Sequence, residues 1–249
     1  MIGVFDSGVG GLGVLREIRA LLPDADLVYL ADQANAPYGE RSLSEVQTLA
    51  ERAAERLIGM GAATVVVACN TASAAALRSL RERHPDTTFV GMEPAVKPAA
   101  AATSSGVVAV LATPATFQAE VFDALVARFA DGVRVIPRPC PGWAAAVEDL
   151  IWDADDMVRE PVESVVAAGA DTLVLGCTHY SFLADAIGAA AGPGVTVVDP
   201  APAVARQVAR VADGAGMRTT LYLTTGDPER LAVQVRSLLG LEIGAEHSA

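Results

Sequence analysis

Two of the three cysteines in this 249-residue chain stand at the ends of look-alike apolar runs. TVVVACNTASA carries Cys69, Asn70 and Thr71 where its run stops, and TLVLGCTHYSF carries Cys177, Thr178 and His179 at the corresponding place. A single strand-end cysteine is ordinarily a small buried hydrophobe. Two of them, each followed by amide, hydroxyl or imidazole groups and then a helical pattern, point to ionisable thiols. A helix N-terminus favours negative charge and draws a thiol pKa from about 8.5 toward neutrality. Cys69, Cys177 and His179 are also zinc-ligand types, but no CxxC or HxxxH unit accompanies them, which disfavours a metal. If the thiols face one bound molecule from opposite sides, they pair an acid with a base at one carbon. One face loses a proton and the other gains it, which is what inversion of a stereocentre requires.

The elements that must position these groups are legible as alternating patterns. Short β-branched runs lie at 2–5, 26–31, 64–69, 88–92, 106–112, 133–137, 172–177, 195–199 and 220–224. Helical patterns occupy about 12–22, 42–60, 71–84, 115–130, 155–168, 182–191, 201–213 and 228–239. Continuous apolar strands imply cover on both faces, and βα alternation predicts parallel sheets wrapped by helices. The pattern also repeats. Asp6 and Cys69 are 63 positions apart (69 − 6), Ala112 and Cys177 are 65 (177 − 112), and GVFDSGVGG and VAVLATPAT both break from a strand into a loop. An internal duplication accounts for this. The expected fold class is therefore α/β: two similar doubly wound domains with mainly parallel sheets, related by a pseudo-twofold, with the active site in the cleft between them. Pro94, Pro98 and a Ser/Gly run interrupt the helical pattern in GMEPAVKPAAAATSSG, and DPAPA at 199–203 marks the return. The expected domains are 1–93 with 203–249, and 94–202.

Composition narrows the function. A hydrophobic fraction of 52% with only 5% aromatic residues means a core of Val, Leu, Ile and Ala. The formal charge of -12 argues against nucleic acid and disfavours an anionic membrane. MIGVFDSG lacks a basic signal region, and no apolar stretch approaches the roughly 20 residues of a membrane helix. Three widely spaced cysteines fit reduced thiols in the cytoplasm. Lys97 is the sole lysine, so it is the only candidate for a pyridoxal phosphate Schiff base. Ligands of open α/β sheets bind beyond the carboxyl ends of the strands. Asp6, Ser7, Asp32, Asn70, Thr71, Thr113, Thr178, His179 and Asp199 crowd there. DSGVGG looks like a phosphate cradle but lacks the P-loop lysine and, within those six residues, the GxGxxG spacing; its glycines suit close backbone approach to a small carboxylate at a helix start. His84 reads as a solvated helix cap, and His247 as part of a fraying tail.

Over residues 2 to about 240 the chain closely resembles the glutamate racemases of the cofactor-independent aspartate/glutamate racemase superfamily. The matching motifs are FDSGVGGL (5–12), YLAD with APYGER (29–41), ACNTASA (68–74), GMEPAVKPA (91–99), CPGWAAAVE (140–148) and GCTHYSFL (176–183), in the family order. The resemblance implies a small-molecule substrate, D- or L-glutamate, and no cofactor or metal. Cys69 and Cys177 match the two catalytic thiols. Asp6, Glu148 and His179 match residues that assist proton transfer or govern thiol ionisation. Ser7, Tyr38, Gly39, Asn70, Thr71 and Thr178, with Asp6 and His179, match substrate-binding positions, and Asp32 another acidic residue near the cleft. Cys140 matches no nucleophile and reads as structural. Ser181 stands where the family usually has proline, Pro200 where serine is common, and ATPATFQAEVF departs from the usual loop. Aspartate racemases, which typically carry glutamate in place of His179 and lack the DSGxGG opening, are the nearest alternative activity. A binding protein that kept the scaffold is the other, since some family members are associated with DNA gyrase inhibition. The resemblance further implies cytoplasmic supply of D-glutamate for peptidoglycan, and it admits a homodimer.

Overall fold

A parallel strand covered on both faces has to be apolar along its whole length. β1 (Ile2–Asp6), β2 (Leu27–Ala31), β3 (Thr64–Val67) and β7 (Thr172–Leu175) are buried at every residue. The computed structural model describes residues 1–117, 120–151 and 154–248, which divide into two units, Met1–Met92 with Ala201–Ala249, and Glu93–Pro200.

In the first unit β1, β2, β3, β4 (Thr88–Val90), β9 (Thr220–Thr224) and β10 (Ala245–His247) form a parallel sheet of order β10-β9-β2-β1-β3-β4. Its helices are α1 (Leu12–Leu21), α2 (Leu43–Gly59), α3 (Asn70–Arg83), α9 (Ala201–Val211) and α10 (Pro228–Leu239). Their ends follow local chemistry. Ser42 and Glu45 close a reciprocal capping box on α2. Asp227 caps α10, Pro228 opens it, and Gly240 ends it in the left-handed region. Phe5, Val65, Val67, Leu57, Ala72 and Leu80 share one core between the sheet and α2 and α3. Each large side chain buried in this way contributes about 1.5–3 kcal/mol.

The second unit carries a parallel sheet of order β6-β5-β7-β8, from β5 (Val107–Ala112), β6 (Arg134–Pro139), β7 and β8 (Thr196–Val198). Around it lie α4 (Val96–Ala102), α5 (Glu120–Phe129), α6 (Trp143–Glu148), α7 (Ala154–Ala167) and α8 (Ala184–Ala191). Its order repeats the β2-β1-β3-β4 stretch of the first sheet strand for strand, so the duplication read from spacing is a duplication of topology. The copies differ at one edge. β9 and β10 extend the first sheet past β2, whereas β6 remains an edge, where Pro137 and Pro139 have no N–H to offer a further strand.

Several expectations need correction. His247 lies in β10, paired in parallel with β9, and the Ser248 N–H donates to the Thr224 carbonyl at 2.8 Å, so this tail is structured. Pro98 does not break the chain: it sits in the first turn of α4, where a missing N–H costs nothing. The pattern at 115–130 resolves into a 3-10 turn, Pro114–Phe117, and α5, with 118–119 outside the described residues. His84 is the C-cap of α3, as expected, and its N–H donates to the Leu80 carbonyl at 3.0 Å, but its side chain is not simply solvated. Its Nε2 is buried without a hydrogen-bond partner among the described residues, 4.0 Å from Glu55 Oε1, and its ring tilts against Phe89.

Candidate active site

Strand order reverses at β1/β3 in one unit and at β5/β7 in the other, and such switch points are where open α/β sheets bind ligands. Both thiols sit at one. Phe5 pairs with Val67 and Leu111 with Leu175, so Cys69 and Cys177 each lie two residues past the last paired strand position. Their backbones nearly coincide, with φ/ψ of -136/125 at Cys69 and -140/138 at Cys177. The same register makes Thr178 the counterpart of Asn70, His179 of Thr71, and Ala112 of Asp6.

The two thiols are nevertheless supported by different means. Cys69 is the N-cap of α3, and its sulfur accepts the Ala72 N–H at 3.5 Å. The positive end of a 14-residue helix therefore faces it. Its Sγ lies 3.9 Å from Ser7 Oγ, which donates to Asp6 Oδ1 at 3.4 Å. Asp6 is fully buried and also accepts the Gly8 N–H at 2.8 Å. Cys177 has no such cap. A 3-10 turn, Thr178–Leu183, follows it before α8 begins, so the expected helix start is missing here. Instead His179 Nδ1 lies 3.6 Å from Cys177 Sγ, and His179 Nε2 lies 2.7 Å from Glu148 Oε1. A carboxylate only accepts, so Nε2 carries a proton and Nδ1 can exchange one with the thiol. Burial opposes a charged imidazole, but the hydrogen bonds and charges of Cys177 and Glu148 outweigh it, raising the His179 pKa well above its ordinary value.

Around Cys69 the polar side chains divide into paired and unpaired. Tyr38 donates to Asp32 Oδ2 at 2.5 Å, while Asp32 Oδ1 accepts from Asn35 at 2.9 Å and Thr225 at 2.7 Å. Burial, then Asp32, push the Tyr38 phenol far up, so it stays a donor. Asn70 is the contrast. It is 7% exposed, yet neither its Oδ1 nor its Nδ2 has a partner among the described residues. A buried amide left this way costs about 1–3 kcal/mol. Ser7 and Thr178 are buried, while Gly39, Thr71 and Thr113 are half-buried.

Sequence reasoning passed over one pattern and left out one element that carries a candidate site residue. Gly8, Gly10 and Gly13 have GxGxxG spacing from the loop after β1 into the start of α1, and Asp32 directly follows β2, as in a dinucleotide fingerprint. The structure argues against that use: Asp6 occupies the Gly8 N–H, and both Asp32 oxygens are engaged. Gly11 is needed for packing, since a Cβ there would lie 2.8 Å from the Asp6 Cβ. The missed element is α6, which carries Glu148 to His179. Six residues show too little periodicity to be recognised. Cys140 is buried and donates to the Arg138 carbonyl at 3.4 Å, and burial pushes its thiol up to about 12. Lys97 is exposed on α4, its Nζ 5.5 Å from the Phe129 ring centre. Among the described residues no group of three or more His, Cys, Asp or Glu could hold a metal ion, and no helix is long and apolar enough to cross a membrane.

Comparison with known proteins gives a consistent result. A family model described as Asp/Glu/Hydantoin racemase matches residues 12–208. The glutamate racemase of Roseiflexus sp. (strain RS-1) is 50% identical over 248 residues, covering 95% of this chain and 91% of that one. The crystal structure of glutamate racemase isoform RacE1 from Bacillus anthracis matches with a TM-score of 0.90 at 30% identity, covering 100% of this chain and 97% of that one. Escherichia coli glutamate racemase, in complex with L-glutamate and the activator UDP-MurNAc-Ala, matches with a TM-score of 0.87 at 32% identity, covering 99% and 96%.

Proposed function

This chain belongs to the Asp/Glu/Hydantoin racemase family, and on that premise we propose that it interconverts L- and D-glutamate, with Cys69 and Cys177 as acid and base on opposite faces of the α-carbon. The observation that carries the reading is the matched position of two thiols, one past the switch-point strand of each duplicated sheet, with near-identical backbone angles. One base alone tends to return a proton to the face it left.

In this mechanism one sulfur, as thiolate, takes the α-proton while the other, as thiol, delivers a proton to the opposite face. Roles exchange for the other enantiomer. The α-proton is weakly acidic, so the developing carbanion needs donors around the α-carboxylate and exclusion of water. Asn70 supplies an amide that has no partner among the described residues, and Ser7, Thr71, Thr178, Tyr38 and Gly39 serve as binding groups. His179, oriented by Glu148, passes protons to and from Cys177. Asp6 and the α3 terminus serve Cys69. The same reading has the enzyme work in the cytoplasm, supplying D-glutamate for peptidoglycan.

The test is loss of optical signal from either glutamate enantiomer with purified protein and no added cofactor, aspartate serving as the comparison substrate. In deuterated solvent the product enantiomer should carry deuterium at Cα. Cys69→Ala and Cys177→Ala should each abolish racemisation, while the surviving thiol still exchanges the α-proton of one enantiomer. Near-normal turnover in either variant, or product that keeps its original hydrogen, refutes the two-thiol mechanism.

A further inference from the structure

α6 is too short to fix its own direction. Six residues close little more than one turn, and helices of that length are unstable alone in water. Yet Glu148, its last residue, meets His179 Nε2 at 2.7 Å. Something outside the helix must aim it, and the contacts identify what does. The Tyr180 hydroxyl donates to the Cys140 carbonyl oxygen at 2.8 Å, just ahead of α6. The Tyr180 and Trp143 rings lie 5.0 Å apart at 59°, and both are buried. Gly142 takes φ 82 between these two contacts, the left-handed region that glycine alone adopts freely. At the far end Leu150 adopts φ 56, and the Ile151 N–H donates to the Ala146 carbonyl at 2.8 Å. Consecutive residues of one 3-10 turn therefore grip opposite ends of the 140–148 segment: Tyr180 its start and His179 its finish.

We propose that Tyr180 is a positioning residue which, through the Cys140 carbonyl and Trp143, aims α6 and so holds Glu148 on His179 beside Cys177. This rests on the reading of Cys177 as an acid/base thiol. It assigns a purpose to CPGW, which the reaction itself does not use: the Cys140 carbonyl is the working group, and the buried thiol is not. Burial holds the Tyr180 phenol protonated, so it remains a donor. The titratable groups near Cys177 are His179 on its own turn, Glu148 on α6, Cys140 and Tyr180. Arg138 and Glu160, bonded to each other at 2.7 Å, flank Cys140 from β6 and α7.

Tyr180→Phe keeps the ring and deletes one hydrogen bond. In the full-length protein, racemisation kcat/KM and the iodoacetamide alkylation rate of each thiol are measured at one neutral pH, with the thiols resolved by peptide mass spectrometry. The expected result is a loss of about fivefold in kcat/KM and in the Cys177 rate, the effect of one neutral hydrogen bond, with the Cys69 rate unchanged. In a Glu148→Gln background the same substitution should have no further effect, because the path it acts through is already cut. Trp143→Phe, which thins the contact from the other side and leaves the hydroxyl bond in place, should reproduce the pattern at smaller size. Wild-type rates in Tyr180→Phe, an equal slowing of Cys69, or an undiminished fivefold loss in the Glu148→Gln background would each overturn the proposal. Cys177→Ala separates the two failures. If it still racemises, the two-thiol reading falls; if it is inactive while Tyr180→Phe is indifferent, only the positioning role falls.

Discussion

Gly176 precedes Cys177, and replacing it by alanine tests how tightly that thiol is held. A Cβ at Gly176 would lie 2.8 Å from the Ala112 Cβ, 3.0 Å from the Leu111 carbonyl oxygen and 3.2 Å from Val110 Cγ1. The first and last are β5 side chains, and the second is the backbone oxygen that accepts the Gly176 N–H at 2.7 Å. None can swing aside, so β7 must move. Overpacking of this kind costs about 1–3 kcal/mol, offset by about 0.4–1 kcal/mol from the stiffer unfolded chain. The net loss of about 1–2 kcal/mol lowers the melting midpoint by about 2–8 °C for a chain of this size. Shifting Cys177 by a few tenths of an ångström should also lower kcat by about tenfold, since misplacement by about 1 Å can cost a hundredfold. Gly188→Ala is the control. That residue lies in α8 with nothing within 4 Å of its added methyl, so the same substitution should stabilise by about 0.5–1 kcal/mol. Calorimetry and racemisation assays on both variants decide the matter. A Gly176→Ala protein as stable and active as wild type would show that β5 and β7 are not packed as described.

Three further outcomes follow from named groups. Asn70→Ala removes an amide that has no partner among the described residues, so the unfolding midpoint should hold or rise while the KM for glutamate rises about tenfold; a loss of stability with unchanged KM would make Asn70 structural. Leu150→Gly relieves a left-handed leucine and should stabilise by about 0.5–1 kcal/mol in urea melts; a destabilised variant would mean that the leucine side chain's packing outweighs the strain. For His179 the folded pKa is raised, so its pairing stabilises fully below the unfolded value of about 6.5 and is lost as pH climbs through the folded value. The stability gap between wild type and Glu148→Gln should therefore be wide near pH ~6 and close on the alkaline side; a gap independent of pH would refute the pairing.

Much of the site could be read from the chain because its chemistry sits where local patterns change. Cys69 and Cys177 end apolar runs, and the similar spacing of the two halves survives in the register of β1 with β3 and of β5 with β7. Errors arose where a local signal was weak or overruled. Pro98 is a breaker in mid-helix but not in a first turn. AEH carries no strand propensity worth the name, yet the open side of β9 makes residues 245–247 a strand. The fingerprint spacing of glycines 8, 10 and 13 went unread, and the fold makes nothing of it, because Asp6 takes the first of their N–H groups.

Alternation of strands and helices, the duplication and the two thiol positions are properties of neighbouring residues, and periodicity and residue type are enough to specify them. Which groups stand beside each sulfur is not of that kind. Glu148 reaches His179 across 31 positions and Thr225 reaches Asp32 across 193, while Asn70 meets no partner among the described residues. Hydrogen bonds depend on distance and direction in space, and a chain shows separation only along itself. So the sequence could name a pair of thiols and the groups that follow them, and only the folded units could show that a helix terminus serves Cys69 alone while the imidazole beside Cys177 is held by Glu148.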